Sequence, residues 1–239
     1  MKLKIFVIFL GFVVLFTGSA FSKVIFEDDF ETGKLDKTKW VGAAAWKVVD
    51  NEEKEPVLGK YVLDALGGEE GLGVDDFPEE FDYYADFRSM NGLSGFIFHG
   101  QDTNNIYMHQ ISVSGSAYTP NNTRWHRKVA GTYTAEPQPF TDNATKDQQV
   151  WYRVKFEVRS GYNFKIYIGE VGAAPKDLTL VGNWTDSAKS FKQGKIGFRM
   201  SGTEYAQYDN VVVTTPNYNF AVDQQGKLAL TWGGIKTQN

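Results

Sequence analysis

The chain has 239 residues, no cysteine and a formal net charge of -4 at pH 7. Without cysteine it has no disulfide, no thiol nucleophile and no Cys-ligated zinc, and so mild a charge points neither to nucleic acid nor to an anionic membrane surface. Aromatic residues make up 15% of it, enough to fill a core and leave some for stacking surfaces.

Met1 to Ser22 opens with Lys2 and Lys4, runs apolar from Ile5 to Phe16 and ends in small residues around Gly18-Ser19-Ala20. This is the pattern of a secretory signal peptide, cut after Ser22. The apolar run is short for the ~20 residues of a membrane span. It predicts a secreted protein, extracellular or periplasmic, with no integral span after cleavage. Residues 23–215 then suit one β-sandwich domain with a core that needs no staples, followed by a C-terminal tail over 216–239.

Val24 to Phe30 is the first predicted strand, turned by Glu31-Thr32-Gly33. Trp46 to Val49 is the second, and Lys60 to Leu66 a weaker third. Phe81 to Arg88 alternates, with Tyr83, Ala85 and Phe87 opposite Tyr84, Asp86 and Arg88. Gly95 to Gly100 and Ile106 to Val113 form a hairpin across Gln101 to Asn105. Asn122 to Thr134 is irregular, with a strand near Trp125 to Val129, and Glu136-Pro137-Gln138-Pro139 breaks it. Trp151 to Arg159 is the cleanest alternation: Tyr152, Val154, Phe156 and Val158 on one face, Arg153, Lys155, Glu157 and Arg159 on the other. Asn163 to Val171 points Phe164, Ile166 and Ile168 inward. Gly194 to Val213 reads as a closing hairpin, two strands joined by the turn Ser201-Gly202-Thr203. Many short strands with regular turn signals and no long 3.6-residue apolar period predict an all-β, antiparallel sandwich or barrel.

Four pieces carry a resemblance: F-x-x-D-F at Phe26 to Phe30, W-x-V at Trp46 to Val48, W-Y-x-V at Trp151 to Val154, and G-x-I-G-F-R followed by Y-D-N-V-x-V from Gly194 to Val213. Together they resemble the concanavalin A-like lectin/glucanase jelly roll, and within it the laminin-G-like modules and the 3-keto-disaccharide hydrolase family. The resemblance covers roughly Phe26 to Thr215. It implies a two-sheet jelly-roll β-sandwich whose concave face takes carbohydrate. That fold hosts lectin modules, hydrolases and lyases alike. The catalytic patterns of its enzymes are incomplete here. The glucanase-type E-x-D-x-x-E begins at Glu80 and Asp82 but reaches Ala85. The lyase-type Q-I-H begins at Gln110-Ile111 and reaches Ser112. The hydrolase-type Y-x-x-Q-I at Tyr107 to Ile111 lacks its preceding Glu.

The polar strand faces supply the candidate site. Arg88, His99, His109, Arg153, Lys155, Tyr167 and Arg199 make a basic, hydrogen-bonding groove if they share one sheet. Arg forks suit carboxylate- or sulfate-bearing sugars, and aromatic faces suit sugar rings. Trp125 and Trp184 are candidate sugar-stacking aromatics or core plugs. His99, His109 and His126 fall close together, and His99 and His109 are the candidate general bases if the chain is an enzyme. Glu27, Asp28 and Asp209 form a candidate structural Ca²⁺ site between first and last strands, since that cation takes carboxylate and carbonyl oxygens. Sequons stand at Asn121, Asn143 and Asn183. The leading expectation is a secreted module that binds carbohydrate without cleaving it. The alternatives are a glycoside-cleaving enzyme of the keto-disaccharide hydrolase type and a structural or adhesive surface module.

Overall fold

A computed structural model describes residues 22–52, 58–67, 69–116, 120–218 and 220. The leader read over 1–22 lies outside the described residues except for Ser22, as does most of the tail. Among the described residues no helix is long and apolar enough to cross a membrane.

In chain order the strands are β1 (Val24–Asp28), β2 (Lys47–Asp50), β3 (Tyr61–Leu66), β4 (Glu69–Leu72), β5 (Phe81–Asn91), β6 (Leu93–Asp102), β7 (Asn105–Ser112), β8 (Asn122–Val129), β9 (Thr132–Pro139), β10 (Tyr152–Arg159), β11 (Asn163–Glu170), β12 (Thr179–Thr185), β13 (Lys195–Met200) and β14 (Tyr205–Thr214). They form two antiparallel sheets. The eight-stranded sheet has the order β12-β11-β10-β5-β14-β3-β2, with β1 also on β14. The six-stranded sheet has the order β4-β13-β6-β7-β8-β9.

The alternation in the sequence is the alternation in the fold. Val154, Phe156 and Val158 of β10, and Phe164, Ile166 and Ile168 of β11, are buried between the sheets, as are Phe81, Tyr83 and Phe87 of β5. From the other sheet Phe96, Phe98, Phe198 and Tyr107 meet them, and the Phe198 and Tyr208 rings stack 3.8 Å apart. Tyr208 also ties the layers by polar contact. Its hydroxyl donates to the Gly95 carbonyl at 3.1 Å and accepts from the Gly95 N–H at 3.2 Å. A buried phenol is thereby satisfied by backbone of the opposite sheet.

Two expectations are corrected. Gly194 to Val213 is not a hairpin: β13 lies in the six-stranded sheet and β14 in the eight-stranded one, so the Ser201–Glu204 turn carries the chain from one layer to the other. And two strands, β4 and β9, arise where the sequence reads as loop. Pro137 and Pro139 do not break β9, because it is an edge strand, where a missing N–H faces solvent rather than a ladder partner. The β8–β9 connection is Ala130–Gly131, with φ of 47° and 82°. Left-handed conformation at both positions matches the twist of a two-residue hairpin loop.

The six-stranded sheet is strongly curled. β4 and β8 are separated by β13, β6 and β7, which in a flat sheet is roughly 19 Å at ~4.8 Å per strand. That exceeds what a lysine and a glutamate meeting head to head can span, yet Lys128 Nζ on β8 lies 2.8 Å from Glu70 Oε1 on β4. The sheet margins therefore turn toward each other over the outer face of β6 and β7. This curl buries Leu72, Ile97, Ile106 and Met108 as a second apolar cluster on that face.

Candidate functional site

The polar residues grouped in the sequence do not share a face. Arg88, Arg153, Lys155 and Tyr167 lie on the outer face of the eight-stranded sheet, and Arg199 lies on the outer face of the other. His99, His109 and Trp125 lie between the two sheets.

His99 and His109 are core residues. His99 sits at a bulge in β6 with φ 49°, and the local twist turns its ring inward against Phe81 and Phe164. Burial lowers its pKa to about 4, and its Nδ1 is 3.1 Å from the Phe191 carbonyl. His109 faces Phe96 rather than His99 across the hairpin. Its ring packs 4.0 Å from Trp125 and 5.5 Å from Phe156. Burial, then the neighbouring His126, holds its pKa well below the ordinary value. Trp125 is fully buried and stacks on Trp184. A dissolved sugar reaches none of these three, which corrects their assignment as binding or catalytic groups.

On the eight-stranded sheet the charges are consumed by one another. Arg153 grips Asp86 with two bonds of 2.7 Å, both side chains almost wholly buried. Arg88 donates to Gln207 Oε1 at 2.9 Å beneath the Trp151 ring. Tyr167 donates to Glu157 at 3.2 Å. Such pairing holds a sheet face together and leaves few donors for a ligand.

The curled outer face of the six-stranded sheet is different. One transverse row runs Glu70, Arg199, Gly95, Gln110 and Arg124, each opposite the next on β4, β13, β6, β7 and β8. The next row brings Met108 opposite His126, and beyond it Lys128 pairs with Tyr133. The curl closes these rows into a cluster. Tyr133, at 36% exposure the most open of the group, donates its hydroxyl to Glu70. The Arg199 guanidinium lies 5.7 Å from the Tyr133 ring and bonds Glu204 Oε2 at 3.2 Å. Gln110 donates to the other Glu204 oxygen at 3.3 Å. The His126 ring stands edge-on to Tyr133 at 5.6 Å.

The titration of this cluster follows from burial and neighbours. Burial works to raise the Glu70 pKa, but hydrogen bonds from Lys128 and Tyr133 and the Lys128 charge outweigh it and hold the carboxylate ionised. Burial raises the Glu204 pKa against the opposing pull of Arg199. Burial, then the Arg199 and Arg124 charges, lowers His126 to about 4, so it is neutral at pH 7. The arrangement offers guanidinium forks, an ammonium, an imidazole and a half-open aromatic face, which together can orient a polar ring.

Sequence reasoning reached Arg199 but missed Glu70, Gln110, Arg124, Lys128, Tyr133 and Glu204 as site residues. The usable signal was Gly131 between two β-prone runs, a hairpin mark that places Lys128 beside Tyr133.

The calcium set does not assemble. Among the described residues no three His, Asp or Glu side chains gather as metal ligands. Asp28 accepts from the Phe30 N–H at 3.1 Å and from Trp40 Nε1 at 2.7 Å. Asp209 points to the Asn210 and Gly59 N–H groups instead. Beside Asp28 the Lys39 ammonium donates to the Glu27 carbonyl at 2.8 Å and lies 3.7 Å from Asp28 Oδ1. The residues therefore do not fit a divalent cation: they do not converge, and the Lys39 ammonium faces the Asp28 oxygens.

No protein-family model matches the chain, and no curated protein matches it. Solved structures do share the fold. One is the carbohydrate binding module CBM66 from Bacillus subtilis, at 18% identity and a TM-score of 0.50, covering 72% of this chain and 96% of that one. A second is a putative glycosyl hydrolase from Parabacteroides distasonis, at 15% identity and 0.50, covering 80% and 98%. A third is a protein of unknown function from Shewanella oneidensis, at 12% identity and 0.50, covering 81% and 84%. At these identities the likeness shows the two-sheet antiparallel sandwich alone.

Proposed function

We propose that this chain is a secreted carbohydrate-binding module of concanavalin A-like type that holds its sugar, without cleaving it, on the curled face of the six-stranded sheet. The observation that carries this is the convergence of Tyr133 and Arg199 from strands on opposite sides of that sheet. A half-exposed aromatic face beside a guanidinium is what a pyranose needs, an apolar ring face to stack on and a donor for its hydroxyls. The fold shared with a protein described as a carbohydrate binding module supports it. Calcium forms no part of the proposal.

A glycan array probed with the purified chain tests it. Saturable retention of one sugar class, reduced in Tyr133→Ala and Arg199→Ala, is the expected result. Absence of retention on every glycan would sink it and return the weight to a structural or adhesive module.

One observation favours a catalytic reading as the second choice. Glu70 and Glu204 stand on either side of Arg199 with pKa values pushed in opposite directions, the relation an acid–base pair requires. Turnover of a retained glycan that stops in Glu204→Gln would move the protein to that class.

A further inference from the structure

Glu70 is held by donors that belong to other strands. Its carboxylate takes the Lys128 ammonium at 2.8 Å and the Tyr133 hydroxyl, from β8 and β9, and stands opposite Arg199 of β13. Lys128 and Glu70 are nearly buried, with side chains 12% and 10% exposed. Next to them His126 has both ring nitrogens buried and without a hydrogen-bond partner among the described residues. Lys128 rests on β8, paired on both sides, and Tyr133 on the edge strand β9. The carboxylate rests on β4, four residues long and at the other sheet edge, paired to β13 within the sheet and bonded through the Leu72 carbonyl to the Val41 and Gly42 N–H groups. Donors from the β8–β9 margin of the sheet thus close on an acceptor carried by a short strand at the opposite margin.

We propose that the sugar taken by this face is acidic, a uronic acid residue whose carboxylate replaces that of Glu70 between Lys128, Tyr133 and Arg199. This rests on the carbohydrate-binding proposal above. The physical reason is the charge left behind. When Glu70 swings away, Lys128 faces a desolvated space without a counter-charge, and a neutral hydroxyl does not compensate an ammonium there as a carboxylate does. Only an anion of matching shape replaces Glu70 without loss, and the planar carboxylate is the shape the site already accommodates. The sugar ring then lies along Tyr133, and a ring hydroxyl within reach of His126 would give its nitrogens the partner they lack. Glu70 is an internal occupant that lowers the apparent affinity by keeping the competent state scarce.

The test measures binding of oligoglucuronate, a neutral gluco-oligosaccharide and a sulfated galacto-oligosaccharide by calorimetry to the full chain, to Glu70→Ala and to Glu70→Gln. Removing an internal competitor should raise uronate affinity, relative to the neutral sugar, by about tenfold in Glu70→Ala. Acetate should raise the Tm of Glu70→Ala saturably and leave that of the unaltered chain in place. Glu70→Gln keeps the side-chain volume and an acceptor for Tyr133, so it carries the same comparison if Glu70→Ala does not fold. Uronate affinity that is equal or lower in the variants, with no acetate effect, overturns the inference. Retention of neutral or sulfated sugars in preference to uronate overturns it too, while the carbohydrate reading stands. No retention of any sugar by any form overturns both.

Discussion

The two outer faces of this sandwich are both rich in charge, and they use it in opposite ways. On the eight-stranded sheet the main ion pairs join neighbouring strands: Asp86 is paired with Arg153, and Asp82 with Arg159 and Lys155. On the six-stranded sheet the contacts run across the face instead, from β4 and β13 to β8 and β9, over three strands between. Neighbour-to-neighbour pairing follows from register alone. Contact across a curled sheet does not, because it depends on how far the margins bend. The first face is a fastening and the second is a receptacle, and composition does not separate them.

The sharpest way to break the comparison is Arg153→Ala. It strands Asp86 as a buried, unpaired carboxylate, which should cost about 3–5 kcal/mol of stability, read by urea unfolding, with glycan retention unchanged in the folded fraction. Loss of retention at full stability would put the receptacle on the wrong sheet. Tyr133→Ala and Arg199→Ala should do the reverse. Each should lower glycan affinity by about 1–2 kcal/mol, as truncated anchors do, with the unfolding midpoint moving little in Tyr133→Ala because Tyr133 is half-open, and falling in Arg199→Ala because Glu204 loses its counter-charge.

A third test concerns a cost internal to the fastening. Burial, then the Asp86 charge, raises the Asp209 pKa well above its ordinary value. A carboxyl with a raised folded pKa gives stability that is present at acid pH, below its unfolded pKa, and lost as pH rises through the folded one. Asp209→Asn should therefore stabilise the protein by on the order of 1 kcal/mol at pH 8 and by less at pH 4, compared by thermal unfolding at both. Equal gain at both values would show that ionisation is not the cause. The smallest effect is expected from Lys39→Met. Its side chain is 37% exposed, so its contact with Asp28 should be worth under ~1 kcal/mol, and chelator should not alter the Tm of the unaltered chain. A Tm that falls with chelator would restore the cation that Lys39 argues against.

The fold was legible where one face of a strand is apolar and the other polar. β5, β10 and β11 show this in their own residues, so their inward faces follow directly from a period of two. β4 was not legible, being four residues between glycines, and neither was β9, whose Pro137 and Pro139 are tolerated only because it is an edge. The histidines misled for a related reason. Polar residues on a strand suggest the wet face, but Tyr107, His109 and Ile111 share the inward face of β7, and the bulge at His99 turns another imidazole inward. The site was legible only at Arg199 and His126. Its remaining members come from β4, β7, β8, β9 and the turn after β13, and what unites them is the curvature of a sheet, which no local pattern records.

β14, in the middle of the eight-stranded sheet, pairs with β1, β3 and β5, all from the first half of the chain. As synthesis proceeds from the N-terminus, those three strands wait without their common partner until Tyr205–Thr214 has emerged. The sheet is therefore completed from its centre and at the end, by pairings of large sequence separation, which are slow to form. The two parts of the sheet, β12-β11-β10-β5 on one side and β3-β2 on the other, stay unjoined until that one strand arrives.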